Sequence, residues 1–400
     1  MLLRTMISTI ATVAIFLLAG QVTAGEQAQP STTSAAHTID SFIVKRMDEA
    51  GVMGLAAAIV VHKKVVWMKG YGFADKERAV PFTPDTVMNI GSISKTFTGV
   101  ALMRAVQEGK LSLDEDINSY LPFKIINPYH PKDKVTLRQL ATHTSGITDR
   151  LSVYRDTYHY GGTPEPLGKF LKSYFVPGGR YYSKENFLNV KPGTHREYSN
   201  IAAGLAGYIV ELAVGKKLNV YAKQCIFSPL RMDNSSWLLS EVKPGKHSKL
   251  YVAQDGLTIP IPLYELTTYP DGGVRTSVSD LSKLFVALLN HGVYEGTRIL
   301  DKPSVDEMLR FHYTDSNKPD NVSLEEKNSG LFWQSKYNVT RIGHGGSDPG
   351  LQTDMLSNLS KDVGVILFTN TSLSGEEKRQ YNAIFLELWK HAEALKEKGR

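Results

Sequence analysis

The 400-residue chain has a single cysteine, Cys225. One thiol cannot close an intrachain disulfide, so the fold must be held by its core even where disulfides are permitted. Cys225 lies in an apolar-flanked stretch and reads as a small buried hydrophobe rather than a nucleophile. Beyond residue 24 no apolar run approaches the roughly 20 residues that a bilayer-spanning helix needs. Charge of one sign is also scarce, because a formal net charge of +6 is mild for this length. The basic clusters Lys124/Lys132/Lys134 and Lys243/Lys246/Lys249 lack interleaved aromatics and read as solvated loops, which argues against a nucleic-acid partner. Three chemistries lack their motifs. There is no Gly-x-Ser-x-Gly elbow of an α/β-hydrolase. The 11 histidines include no His-Glu-x-x-His pair or ligand cluster, and no Gly-rich loop follows a strand to cradle phosphate. Neither a metal nor a cofactor is expected.

At the N-terminus, Arg4, the apolar stretch Ile10 to Leu18 and the small residues Val22-Thr23-Ala24 read as a secretory signal over residues 1–24. The expected location is periplasmic or extracellular, with no stable membrane insertion after cleavage. Residues 25–400 read as one α+β domain. A helix is expected over Thr38 to Ala50, and a hairpin over Leu55 to Val61 and Val65 to Tyr71, turned at His62-Lys63-Lys64. Helices follow at Thr136 to His143, Ile201 to Val214 and Ser279 to Leu289. Strands return at Leu331 to Tyr337, Val339 to His344, Leu351 to Leu356 and Val363 to Phe368. A last amphipathic helix carries Tyr381, Ile384, Phe385, Leu388, Ala392 and Leu395 on one face. Strands at both ends imply one antiparallel sheet flanked by terminal helices. An α/β lobe (about 37–110 and 321–400) then receives a mostly helical lobe (about 111–320), with the active site between them.

Gly91-Ser92-Ile93-Ser94-Lys95 opens an apolar run, Thr96 to Gln107. Ser92 and Lys95, three residues apart, share one helix face. A serine hydroxyl needs a partner to take its proton, and burial lowers a lysine's pKa toward that of a base. A second Ser-x-x-Lys, Ser240 to Lys243, runs into Pro244-Gly245 and reads as a surface loop. Tyr198-Ser199-Asn200 precedes the helix from Ile201 and supplies a phenol and an amide. His344-Gly345-Gly346-Ser347 ends a strand, where two glycines let a substrate backbone approach and a backbone N–H meet an oxyanion.

In this order, Ser-x-x-Lys, Tyr-x-Asn and His-Gly-Gly resemble the serine β-lactamase and penicillin-recognising superfamily, in its class C branch with DD-peptidases, D-amino-acid peptidases and β-lactamase-type esterases. The resemblance covers nearly the whole mature chain. It implies Ser92 as the acylated nucleophile, Lys95 as its base or proton relay, and Tyr198 as leaving-group acid or as base with Lys95. Asn200 would hold Lys95 or the substrate amide. The N–H groups of Ser92 and Ser347 would form the oxyanion hole, beside His344, Gly345 and Gly346 as substrate-binding residues. Thr136 to Gly146 and Asp271 to Ser277 match as structural signatures, with His143 tying a helix end and Arg275 in a structural turn. Where class C β-lactamases have Lys-Thr-Gly, this chain has His344-Gly345-Gly346, so a carboxylate anchor is missing from that motif. The expected function is a secreted serine hydrolase acting through a Ser92 acyl-enzyme on esters, D-amino-acid peptides or amides, with room for weak β-lactam hydrolysis. The alternatives are a class C-type β-lactamase or a penicillin-binding sensor that acylates without turnover. The tyrosine-rich segment Leu151 to Lys191 reads as packing for the helical lobe rather than an acyl pocket.

Overall fold

The computed structural model describes residues 33–243, 245–254 and 257–398. The expected signal segment, 1–24, lies outside the described residues. The helices include α1 (Thr33–Glu49), α2 (Ser94–Gln107), α3 (Leu137–Ala141), α4 (Leu151–Arg155), α5 (Asn200–Val214), α6 (Val278–Leu289) and α7 (Gly375–Lys398). The main sheet has β1 (Gly54–Val61), β2 (Lys64–Asp75), β3 (Val80–Pro81), β4 (Gln334–Lys336), β5 (Arg341–Asp348), β6 (Leu351–Asn358) and β7 (Val363–Thr369). Its order is β4-β5-β6-β7-β1-β2-β3, every neighbour antiparallel. The two chain ends meet where β1 pairs with β7, Leu55 opposite Thr369.

Side-chain alternation sets the layers. On β1, Leu55, Ala57, Ile59 and Val61 face α1 and α7, joining Tyr381, Ile384, Phe385 and Leu388 in one core. Ala56, Ala58 and Val60 face the opposite way, into a larger core built with α2, α5 and α6. Each large aliphatic side chain buried in these cores contributes roughly 1.5–3 kcal/mol. The helical segments therefore share a core with one face of the sheet.

The β1–β2 hairpin turns at His62 and Lys63, both at positive φ, 49° and 63°. That backbone twist matches the strands it joins. Helix α3 is shorter than its pattern suggested, starting with a Thr136–Gln139 capping box. Helix α5 ends on Gly215 at φ 66°. Two strand expectations shift. Leu331 to Tyr337 contributes only Gln334–Lys336, because Gly330 N–H bonds to Trp333 O and Phe332 sits at φ 56° in a turn. The next strand starts after Tyr337, Asn338 and Val339, all at positive φ, and runs on through Asp348. His344 to Ser347 thus lie inside a strand, not at its end. Among the described residues no helix is long and apolar enough to cross a membrane.

Candidate active site

Ser92 stands in a 3-10 turn, Gly91–Ile93, that runs straight into α2. Its position follows from local ties. Gly91 has φ 52°, a conformation glycine adopts without strain. Ile90 N–H donates to Val274 O at 3.1 Å, and Val274 N–H donates to Ser94 Oγ at 2.9 Å. Thr98 Oγ1 donates to Pro270 O at 2.6 Å. The Asp271–Ser277 segment is thus laced to the start of α2. Arg275, buried in it, lies not in a turn but in a two-residue strand, Arg275–Thr276, paired with Met88–Asn89, and it donates to the carbonyls of Trp237, Gly273 and Tyr264, a structural role.

Helix α2 is apolar on nearly every side and is buried accordingly, taking Lys95 to 0% exposure. The ammonium meets three acceptors: Ser92 Oγ at 3.0 Å, Asn200 Oδ1 at 2.7 Å and Asp271 O at 2.8 Å. An ammonium has three hydrogens, so all are committed. Because it only donates, the carbonyl oxygen of Asn200 must face it. Tyr198 Oη lies 2.9 Å from Ser92 Oγ. The expectation that burial lowers the Lys95 pKa is corrected here. Burial does disfavour its charge, but Tyr198, Asp271 and Asp348 outweigh burial, and the pKa is raised rather than lowered. Lys95 is a held cation, not a neutral amine.

Tyr198 and Asn200 are placed by a residue that the sequence did not single out. The Asp149 carboxylate accepts from Ser199 Oγ at 2.6 Å, Asn200 N–H at 2.7 Å and Ile201 N–H at 3.0 Å. It satisfies the open N–H groups at the start of α5, with Ser199 as the N-cap. An isolated aspartate in a loop has no periodicity to betray this role. From the other side, Ser199 N–H donates to His143 Nδ1 at 3.3 Å, and the His143 ring lies 4.3 Å from that of Tyr198. Burial, then Arg196 and Lys95, push the His143 pKa well down, so the ring is a neutral support.

Strand β5 closes the site. A Cβ on Gly91 would lie 3.3 Å from Ser347 N, so the Ser92 turn abuts the strand that carries Ser347. The two glycines also serve the protein's own packing. A Cβ on Gly346 would sit 2.2 Å from Ile90 O, and one on Gly345 would sit 2.7 Å from Asp354 Oδ1. Both still line the cleft. His344 is buried and its pKa is pushed down to about 3, by burial and then by Lys95. Its Nδ1 lies 2.7 Å from Gly345 O, and its Nε2 lies 3.2 Å from Gln334 Nε2. The ring is therefore neutral and bonded within the sheet.

The cleft, about 500 Å³, extends from Ser92 and Tyr198 past Gly345 to Lys336, Asp354 and Lys378. These lysines, from the edge strand and the last helix, were invisible as a site in the sequence because nothing in their spacing links them. They bring cationic charge to a cleft whose His-Gly-Gly motif has none. Asp354 offsets one of the two charges. The second Ser-x-x-Lys is exposed at both ends, Ser240 and Lys243. Cys225 is half-buried and its thiol is pushed up to about 12, chiefly by burial, which suppresses the thiolate. In the tyrosine-rich segment, Tyr174 and Phe175 pack in the core, whereas the hydroxyls of Tyr154 and Tyr158 bond to Asp271 and Asp348. Among the described residues, no group of three or more His, Cys, Asp or Glu is arranged to hold a metal ion.

The chain is 24% identical over 344 residues to Protein flp of Staphylococcus aureus (strain MRSA252), covering 85% of this chain and 64% of that protein. It thus spans under two thirds of that relative's length. The octameric penicillin-binding protein homologue from Pyrococcus abyssi superposes with TM-score 0.68 at 27% identity, over 84% of this chain and 74% of that one. A β-lactamase/D-alanine carboxypeptidase from Pseudomonas syringae shares the fold, with TM-score 0.64 at 20% identity, over 87% of this chain and 99% of that one. The family model described as Beta-lactamase matches residues 39–388, from the first helix to the last, and the chain belongs to that family.

Proposed function

We propose that this protein is a serine hydrolase that works through an acyl-enzyme on Ser92 and prefers D-amino-acid peptides or related amides and esters with an anionic leaving end. One observation carries the reading: a buried ammonium whose three hydrogens are committed, beside a serine whose hydroxyl also meets Tyr198 Oη. The Ser92 proton is taken up by the Lys95–Tyr198 pair that flanks its hydroxyl. Ser92 Oγ bonds to the substrate carbonyl carbon, and the oxyanion is met by the N–H groups of Ser92 and Ser347. Tyr198 then returns the proton to the leaving nitrogen or oxygen as that bond breaks. Water attacks the acyl-enzyme by the reverse sequence and frees Ser92.

Lys336 and Lys378 suit a carboxylate at the leaving end, the kind of group that a D-alanine carboxypeptidase meets. The Ile10 to Leu18 stretch after Arg4 supports a location outside the cytoplasm. The test is a panel of p-nitrophenyl esters, nitrocefin and D-Ala-D-Ala peptides, run on the wild type and on Ser92→Ala. Multiple turnover by the wild type alone supports the reading. Stoichiometric release with a stable adduct would make the protein an acylating binder instead, and nitrocefin as the fastest substrate would make it a β-lactamase.

A further inference from the structure

Behind Lys95 lies a second layer that the reaction above does not use. Among the described residues no carboxylate forms an ion pair with the Lys95 ammonium within 4 Å, although the side chain is fully buried. The carboxylates that face it from beyond its first neighbours are Asp271 and Asp348. Asp271, at 1% exposure, offers Lys95 its backbone carbonyl, while its carboxylate Oδ1 accepts from Tyr154 Oη at 3.0 Å. Its Oδ2 is buried with no hydrogen bond among the described residues, facing the side of Thr268. Asp348 Oδ1 accepts from Tyr158 Oη at 2.6 Å. The two phenol rings meet edge to face, 5.7 Å apart. Asp348 Oδ2 lies 3.2 Å from where a Cβ on Gly91 would sit and 3.4 Å from that of Gly272, so both glycines make room for it next to the Ser92 turn. An isolated carboxylate in such a place is expensive, and it persists where a buried cation needs a counter-charge.

We propose that Asp271 and Asp348, joined through Tyr154 and Tyr158, are positioning residues that hold the Lys95 ammonium on its three acceptors, and that acylation of Ser92 requires this acid pair to keep its negative charge. The proposal rests on the hydrolase reading of the site. The pair titrates near neutrality, since burial pushes Asp271 up to about 7 and Asp348 up to about 6. As pH falls through that range the pair takes up protons, Lys95 loses its counter-charge, and activity declines. The other groups facing the pair are Lys95 on α2, Asp149 before α4, Tyr154 on α4, Tyr158 on the short strand Tyr158–His159, and Tyr160 and Tyr264 from loops. His344, on the strand of Asp348, is neutral there.

The experiment is kcat/KM for p-nitrophenyl acetate against pH, on the wild type, Asp348→Asn, Tyr158→Phe and Ser92→Ala. The wild type is expected to show an acid limb with its midpoint between about 6 and 7. Asp348→Asn removes a like charge from Asp271, so the limb moves to lower pH by roughly half a unit or more. Tyr158→Phe removes the hydroxyl that stabilises the Asp348 carboxylate, so the limb moves to higher pH. A purely structural role would scale the whole profile without moving its midpoint. Thermal unfolding of each variant checks that it is folded. An unmoved limb in both folded variants, with Ser92→Ala inactive, overturns the acid-pair proposal alone. Hydrolysis retained in Ser92→Ala overturns the parent reading.

Discussion

At the scale of single residues, the decisive question is where the Ser92 proton goes. Burial alone would have made Lys95 an amine able to take it. Three acceptors and the surrounding negative groups favour the ammonium instead, and in the proposed reaction the proton passes to the pair that Lys95 forms with Tyr198. Ser92→Ala should lower hydrolysis by on the order of a thousandfold or more while the protein keeps its melting temperature. Lys95→Met should fall by a similar factor, because it removes the cation held against Ser92 Oγ and the Tyr198 ring. Steady-state rates with p-nitrophenyl acetate check both, and a Lys95→Met enzyme as fast as wild type would be inconsistent with a cationic role. At the far end of the cleft, Lys336→Ala should raise KM roughly tenfold for carboxylate-terminated peptides, about 1.4 kcal/mol. A neutral ester should be little affected. Equal effects on both substrates would argue against a leaving-end carboxylate. Ser92, Lys95 and Tyr198 were legible in the sequence because each sits in a short motif with a fixed spacing. Asp149, Lys336 and Lys378 were not, since each acts through a contact made only by the fold.

At the scale of elements, two devices position the reactive groups. The first is the start of α5, where Asp149 takes three hydrogen bonds that would otherwise be unmet. Asp149→Ala should cost about 1–2 kcal/mol of stability. It should also slow acylation, because Asn200 then loses its fixed angle to Lys95. A chemical-denaturation curve read beside the rate separates the two effects. The second device is the close passage of β5 under the Ser92 turn. Gly346→Ala would drive a methyl to 2.2 Å from Ile90 O, so the strand or the turn must move. Loss of activity larger than loss of stability is the expected outcome there. Helices α2, α5 and α7 were readable from apolar periodicity and flanking glycines. The strand from Arg341 was misjudged at both ends because its limits are set by three consecutive positive-φ residues and by a turn at Pro349-Gly350, neither of which disturbs the apolar pattern.

At the scale of the molecule, a sheet assembled from both chain ends separates two cores and presents one face to the helical segments that complete the site. The sequence pattern of strands, helices and strands pointed to that arrangement. It did not reveal that the helices share their core with the sheet, because alternation on β1 is masked by apolar residues on both faces. The site leaves a mark on stability. Asp271 has its folded-state pKa raised to about 7, above the ordinary value of 3.8. Between these values the folded protein holds a proton that the unfolded chain releases, so this group erodes stability as pH rises through the window. Asp271→Asn cannot titrate. Its melting temperature relative to wild type should therefore rise from pH 5 to pH 8, and a difference independent of pH would mean that Asp271 is not buried as a perturbed acid.

The measurement that tests the central claim most directly is the intact mass of the protein, quenched during turnover of an activated ester or a penicillin and followed by peptide mapping. One acyl group is predicted, on Ser92, absent from Ser92→Ala and formed more slowly in Lys95→Met. An adduct on another residue, or one that persists in Ser92→Ala, would contradict the account.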